Sequence, residues 1–152
     1  MTGNTDISAG VRDDQTNSNS ESVQIFKDLI SSGTPSIMTA TAIYDKIDPN
    51  LPGAFSSKMV DGLLRKQLGF DGLVITDDLS NAVQVQSWTP GQRAVLALSA
   101  GNDLVLANEP TQIPEMISEV LQKVKADPDF AKKISQSATR VIKLKEEMKL
   151  VE

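Results

Sequence analysis

The sequence predicts an α/β fold built on a parallel sheet. Short apolar segments alternate with longer amphipathic segments along most of the chain, and the apolar segments are continuous instead of alternating with polar residues. Continuous apolar strands joined by helices are typical of parallel sheets covered on both faces. About three strands are clear, each flanked by predicted helices.

Helices are predicted where apolar residues recur every three or four positions between recognisable start and stop residues. Gly33 ends the first, Ser56 precedes the second as an N-cap, and Pro90 begins the third, because proline loses no helical hydrogen bond in the first turn. The predicted helices cover residues 21–32, 57–68, 90–100, 113–125 and 129–149.

The predicted strands cover residues 36–44, 73–77 and 103–107, with loops at 48–53 and 80–89. Residues 1–20 are rich in small polar side chains, which predicts a loop or disordered leader before a single domain over residues 21–152.

Composition excludes several classes of site. The chain has 152 residues and a formal net charge of −5 without a concentrated basic face, which argues against nucleic acid as a partner. It has no cysteine and no histidine, so thiolate or histidine metal sites and a Ser-His-Asp triad are impossible within it. We expect neither a metal nor a cofactor. No apolar run reaches the roughly 20 residues of a membrane span, and Met1 is not followed by a signal-peptide pattern. The sequence does not indicate a compartment.

Two adjacent carboxylates, Asp77 and Asp78, end the predicted strand over residues 73–77. The carboxyl ends of parallel strands are where α/β proteins usually carry their chemistry. Successive strand residues point to opposite faces, so one acid faces a site and the other is free to cap the following turn.

Several segments resemble the C-terminal half of the catalytic (β/α)8-type barrel of family 3 glycoside hydrolases, in the β-N-acetylhexosaminidase branch. The central segment is the most specific and includes Gly69-Phe70-Asp71-Gly72 and Thr76-Asp77-Asp78-Leu79. The matching segments are residues 37–44, 47–49, 54–56, 63–79, 100–106 and 140–145. The resemblance implies a partial, incomplete barrel, and the sugar-gripping Lys-His-Phe-Pro-Gly motif of the family is expected N-terminal to this chain.

The resemblance also implies a reaction. It places the nucleophile of a retaining glycosidase at Asp77 and makes Asp78 a structural acid that binds the amides of the next turn. The substrate would be a terminal β-linked N-acetylglucosamine or a related sugar. The family's acid/base is a histidine paired with an aspartate; these positions fall on Asp6 and Asn4, so Asp6 is the candidate proton donor. Thr41 stands where the family often has a further histidine.

Other candidate residues have structural interpretations. Trp88 is expected to pack in the loop over residues 80–89 instead of stacking on a sugar, Arg65 to lie on a solvated helix face, and Asp103 to bond nearby backbone.

Three functions are compatible with the sequence. The first is a glycosidase, here truncated and with little activity alone. The second is a non-catalytic barrel fragment that self-associates through its open sheet. The third is a flavodoxin-like module in which the paired acids bind Mg²⁺ or accept a phosphoryl group.

Overall fold

The computed structural model describes residues 3–151. In chain order the strands are β1 (Arg12–Asp13), β2 (Ser36–Thr39), β3 (Ile43–Tyr44), β4 (Asp48–Pro52), β5 (Leu73–Asp78) and β6 (Leu104–Leu106). The helices are α1 (Glu21–Ser31), a π-helix (Lys58–Gln67), α2 (Pro90–Ala100), α3 (Ile113–Ala126) and α4 (Pro128–Glu147). Short 3-10 turns lie at Gly53–Phe55, Val83–Val85 and Pro110–Gln112.

The main sheet contains β2, β5 and β6 in the order β2-β5-β6, and all its strands are parallel. Helices follow or precede each strand and cover one face of this sheet. The predicted α/β fold with a parallel sheet is therefore confirmed. In the part of the chain that the structure describes, β2 and β6 each pair with β5 only, so no closed barrel forms.

The predicted strand over residues 36–44 is wrong in its second half. The main sheet loses this segment after Thr39, because the carbonyls of Ala40 and Ala42 accept hydrogen bonds from Ala54 and Gly53 at 2.9 and 2.8 Å. The backbone thus turns toward the 3-10 turn and leaves its neighbour β5.

A second small sheet, β1-β3-β4, occupies this region. Its strand β4 corrects the predicted loop over residues 48–53. The segment contains Pro49 and Pro52, which suggested a loop, but β4 is an edge strand, where missing amide donors are tolerated. The strand β1 lies within residues 1–20 and pairs with β3. The boundary at residue 20 between leader and domain stays a prediction.

The helix predicted over residues 57–68 is a π-helix, in which the Leu68 amide bonds the Leu63 carbonyl five residues back at 2.9 Å. Its predicted inner face is confirmed at three positions, since Val60, Leu63 and Leu64 are buried.

Two apolar clusters form the core on the helical side of the main sheet. One is formed where β2 and β5 pack against the π-helix and α2, and it comprises Ile37, Val60, Leu64, Phe70, Val74 and Ala100. The other lies between α2, α3 and the loop after β5, and it comprises Ala54, Phe55, Leu79, Ala82, Val85, Ala94, Ala97 and Met116.

The other face of the main sheet is open. The register aligns Met38 with Ile75 and Ile75 with Leu104, which makes one apolar row across three strands. Met38 is 55% exposed and Leu104 is 36% exposed. We call these three side chains the open-face row. Among the residues that the structure describes, no helix is long and apolar enough to cross a lipid bilayer.

Candidate active site

Asp77 lies near the carboxyl end of β5 and is half-buried. By strand alternation it belongs to the face that carries the open-face row, while Val74 and Thr76 face the helices. Its Oδ1 accepts a hydrogen bond from the backbone N–H of Asp78 at 2.8 Å. Within the described residues this is the one hydrogen bond of the carboxylate, so Oδ2 is free to contact a ligand.

Asp78 is buried and fully engaged. Its carboxylate accepts hydrogen bonds from the Ser80 amide at 2.9 Å and hydroxyl at 2.5 Å, and from the amides of Asn81 and Asn108 at 3.0 Å each. Burial by itself raises the pKa of this carboxyl, but these hydrogen bonds favour the charged form more strongly and hold the pKa below its ordinary value. The prediction that Asp78 binds the amides of the next turn is confirmed.

Arg93, near the start of α2, bonds the carbonyls of the turn whose amides Asp78 bonds. Its side chain is buried and donates hydrogen bonds to the carbonyls of Leu79 and Ser80 at 2.6 and 2.9 Å. Burial lowers the pKa of the Arg93 guanidinium, and the charges of Glu115 and Asp78 partly oppose this. No pattern in the sequence indicates this contact, because a lone arginine in a predicted helix carries no signal of burial.

Asp6 is exposed, and the structure brings its backbone against the loop that follows β5. The Asp6 carbonyl accepts from the Val83 amide at 3.2 Å, and the Thr5 carbonyl accepts from the Gln84 amide at 3.0 Å. The role of the Asp6 carboxyl as acid/base stays a prediction.

The side chain of Gln84 also bonds the N-terminal segment, at Val11. Its buried side-chain amide donates to the Val11 carbonyl and accepts from the Val11 amide, both at 3.0 Å. We call this pair of bonds the Gln84 clamp. A side-chain amide here replaces a strand partner, and no pattern in the sequence distinguishes it from a solvated loop glutamine.

Thr41 follows β2 and is fully buried, and its hydroxyl finds no hydrogen-bond partner in the described part of the chain. Trp88 is half-buried and packs edge-on against Phe55, with ring centroids 5.3 Å apart. The prediction that Trp88 has a packing role is confirmed.

The prediction for Arg65 is wrong. Its side chain is only 13% exposed and pairs with the buried Asp103 at 2.6 Å, while it also donates to the carbonyls of Phe70, Gly72 and Gly101. Asp103 accepts in addition from the Val74 amide and from Arg140, so its expected bond to nearby backbone is confirmed. This network lies at the start of β5, at the opposite end from Asp77.

No group of three or more acidic, histidine or cysteine side chains that could hold a metal ion occurs in residues 3–151. At the end of β5 the Asp77 carboxylate has one free oxygen, and the turn that follows is bonded by Asp78 and Arg93.

Comparison with known proteins shows the family. The family described as "Glycosyl hydrolase family 3 N terminal domain" matches residues 4–144. The chain belongs to glycoside hydrolase family 3. Its resemblance to that family, predicted from the central segment, is confirmed.

Known proteins are similar to this chain in sequence, and solved structures are similar to it in fold. A beta-hexosaminidase from Methylobacillus flagellatus is 38% identical over 108 residues, which are 70% of this chain and 31% of the relative. The solved structure of a beta-N-acetylhexosaminidase from Beutenbergia cavernae is 49% identical, with a TM-score of 0.93 over 95% of this chain and 43% of that one. A family 3 beta-N-acetylglucosaminidase from Paenibacillus is 30% identical with a TM-score of 0.74, over 80% of this chain and 23% of that one. The family 3 chain described here thus spans under a third of the Methylobacillus relative and under half of the Beutenbergia structure.

Proposed function

We propose that this chain forms part of the catalytic domain of a retaining β-N-acetylhexosaminidase, with Asp77 as the nucleophile. The observation that carries the proposal is the half-buried Asp77 carboxylate at the carboxyl end of a parallel strand, with one oxygen fixed by the Asp78 amide and the other free. The names of the relatives support the substrate class, a carbohydrate with a terminal N-acetylhexosamine. Family membership favours this function over a phosphoryl-accepting module.

The proposed reaction has two displacements. In the first, Asp77 forms a bond to the anomeric carbon as the glycosidic C–O bond breaks, and a general acid gives its proton to the leaving oxygen. In the second, water attacks the glycosyl ester, gives its proton to the same group, and releases Asp77 as a carboxylate.

Asp6 is the proposed general acid and base. Position and composition support this role, since its backbone bonds the loop that follows Asp77 and the chain has no histidine. In the described residues the exposed Asp6 carboxyl makes no hydrogen bond that would hold it at the end of β5. We therefore expect little turnover from this chain alone.

The three parallel strands are proposed to be consecutive strands of a (β/α)8-type barrel. The free edges of β2 and β6 support this, and so does the close match to less than half of a longer enzyme.

Covalent trapping tests the nucleophile. The chain would be fused to the N-terminal part of the Beutenbergia enzyme and treated with a 5-fluoro-N-acetylglucosaminyl fluoride, whose ring fluorine slows the second displacement. We expect mass spectrometry to locate the glycosyl label on Asp77 and to find none in Asp77→Asn, while the exposed-acid control Asp71→Asn labels normally. A label on another residue, or one that survives in Asp77→Asn, would show that Asp77 is not the nucleophile.

Turnover tests the activity of the chain alone. Hydrolysis of an aryl N-acetylglucosaminide is expected to be near background for the chain and well above background for the fusion. Equal rates for the two proteins would contradict the expectation of little activity.

A second proposal concerns partners. The open-face row presents exposed apolar side chains between two free strand edges, a surface that favours pairing with another chain. We propose that a second copy covers this face when the chain is alone in solution, so that the isolated chain is a homo-oligomer.

A further inference from the structure

In the described residues no carboxylate bonds the buried guanidinium of Arg93 directly, and the charges of Glu115 and Asp78 attract it only from farther away. The residue is 4% exposed, and among the ion pairs of the described residues none involves Arg93. Its hydrogen bonds all go to neutral oxygens. The acceptors are the carbonyls of Leu79, Ser80 and Trp88 and the side-chain oxygens of Gln86 and Gln112, at 2.6 to 3.3 Å. Burying a guanidinium in this way is costly unless its donors are satisfied, so the arrangement points to a specific role.

The role follows from which carbonyls converge on the guanidinium. Leu79 and Ser80 are the second and third residues after Asp77 in the chain. The Ser80 carbonyl also accepts from the side chains of Gln86 and Gln112, at 2.8 and 3.3 Å. Three side chains therefore fix this one peptide group.

The same turn is fixed from its amide side by Asp78. Its carboxylate binds the amides of Ser80 and Asn81, so the carbonyls of the turn bind Arg93 while the amides bind Asp78. The peptide N–H of Asp78 itself donates to Asp77 Oδ1. The N–H that bonds the Asp77 carboxylate therefore belongs to Asp78, and the turn after Asp78 is fixed through both its amides and its carbonyls.

We propose that Arg93 is a positioning residue for Asp77: it does not touch the carboxylate, but it holds the turn directly after Asp78, the residue whose N–H bonds the Asp77 carboxylate. The catalytic meaning of this role rests on the proposed function. The effect of Arg93 on the Asp78 N–H does not rest on the proposed function.

Arg65 supplies a matched control at the other end of β5. It is also largely buried and also donates to backbone carbonyls, those of Phe70, Gly72 and Gly101. Replacing it removes hydrogen bonds to three backbone carbonyls and also the ion pair with Asp103, but leaves the turn after Asp77 intact. A variant of Arg65 therefore shows the effect of lost stability alone, with which the effect of a variant of Arg93 on the turn can be compared.

The first test uses the chain itself and needs no activity. The variants are Arg93→Gln and Arg65→Gln, with Arg93→Lys in reserve should Arg93→Gln not fold. We expect hydrogen exchange of the Asp78 amide, measured by NMR and corrected for global stability, to accelerate roughly 10-fold in the Arg93 variant, the equivalent of one hydrogen bond. In Arg65→Gln the exchange rate of this amide should match that of the wild type.

The second test uses the fusion protein described above. In Arg93→Gln the labelling rate of Asp77 should fall about 10- to 100-fold, as for a misplacement on the order of 1 Å, while the half-saturating probe concentration changes little. Added guanidinium ion should partly restore the rate in Arg93→Ala, since it can occupy the vacated site.

The outcomes distinguish the two proposals. If the Asp78 amide responds as expected but the wild-type fusion never labels at Asp77, the proposed function fails and the positioning role stands. An unchanged Asp78 amide in Arg93→Gln, or equal changes in the Arg93 and Arg65 variants, would overturn the positioning role.

Discussion

Two adjacent carboxylates at the end of β5 lie on opposite faces of the main sheet and have different surroundings. Asp77 keeps a free oxygen on the open face, whereas Asp78 is buried and accepts four hydrogen bonds. Strand alternation predicts from the sequence that only one of the two faces a site, and the family resemblance gives that role to Asp77. The division suits a site in which one acid reacts and the other maintains the turn.

Replacing Asp78 tests its structural role. Because the pKa of folded Asp78 lies below its ordinary value, its stabilisation is present above the unfolded-state pKa and is lost as pH falls through the folded-state pKa. We expect Asp78→Asn to lower the free energy of unfolding by about 1–3 kcal/mol at pH 7, since it weakens acceptors for buried donors. The difference in free energy of unfolding between Asp78→Asn and the wild type should become smaller as the pH falls. Urea denaturation at a series of pH values measures both effects, with the exposed Asp71→Asn as control. A difference in free energy of unfolding that does not change with pH would contradict the structural role of the Asp78 carboxylate.

The buried polar residues show the limit of sequence reasoning at this scale. Arg65, Gln84 and Arg93 were indistinguishable from solvated side chains, because their partners are backbone carbonyls brought close only by tertiary packing. Long polar side chains are exposed in most proteins, so the pattern favours the wrong interpretation at these sites.

At the scale of elements, the backbone of α2 lies close against α3 at Gly91. A Cβ placed on this residue would lie 2.7 Å from the Glu119 Cβ, a distance that requires the helices to separate. We expect Gly91→Ala to destabilise the chain by about 1–3 kcal/mol, as overpacking usually does. Thermal unfolding followed by circular dichroism would show it. Gly62→Ala is the matched control: its new Cβ meets nothing nearer than 3.7 Å, so it should be neutral or stabilising.

The Gln84 clamp joins the N-terminal segment to the loop after β5. In Gln84→Ala we expect the amides of residues 5–11 to exchange with solvent at least about 10-fold faster, because two buried hydrogen bonds to Val11 are lost. Hydrogen–deuterium exchange with mass spectrometry resolves this segment. The neighbouring exposed Gln86 makes different contacts, and Gln86→Ala should leave residues 5–11 protected. Equal exchange in both variants would show that other contacts hold the segment.

Element prediction succeeded where pattern and packing agree. The helices over residues 90–100 and 113–125 begin and end close to the observed α2 and α3, because proline and glycine mark their limits. The strand over residues 36–44 failed, since an apolar run does not reveal that residues 40 and 42 bond a turn instead of the next strand. Likewise, no residue pattern distinguishes the π-helix from an α-helix of the same length.

At the scale of the whole molecule, the described residues leave the main sheet exposed at Met38 and Leu104 on the face away from its apolar clusters. Parallel sheets are normally covered on both faces, so the open-face row leaves apolar surface unsatisfied. If a second copy covers it, folding and association are linked, and the melting temperature should rise with protein concentration.

Sedimentation equilibrium and thermal melts between about 5 and 200 µM, a range set around a micromolar dissociation constant, test this. Leu104→Lys should be monomeric with a concentration-independent melting temperature, because a charge in the row opposes its burial. Ile142→Lys, at a similarly exposed apolar position on α4, should associate like the wild type. A wild-type chain that is monomeric throughout would contradict self-association.

The buried guanidinium groups at the two ends of β5 also have a consequence for the response to heat. The cost of removing a charged group from water falls as temperature rises, while the stabilisation from apolar burial levels off. Arg65 and Arg93 should therefore hold the ends of the strand relatively better in a warm solution than in a cold one. On heating, the hydrogen bonds of Arg93 to the turn beside Asp77 are thus expected to lose less of their contribution than the apolar contacts of Leu79 in the same turn.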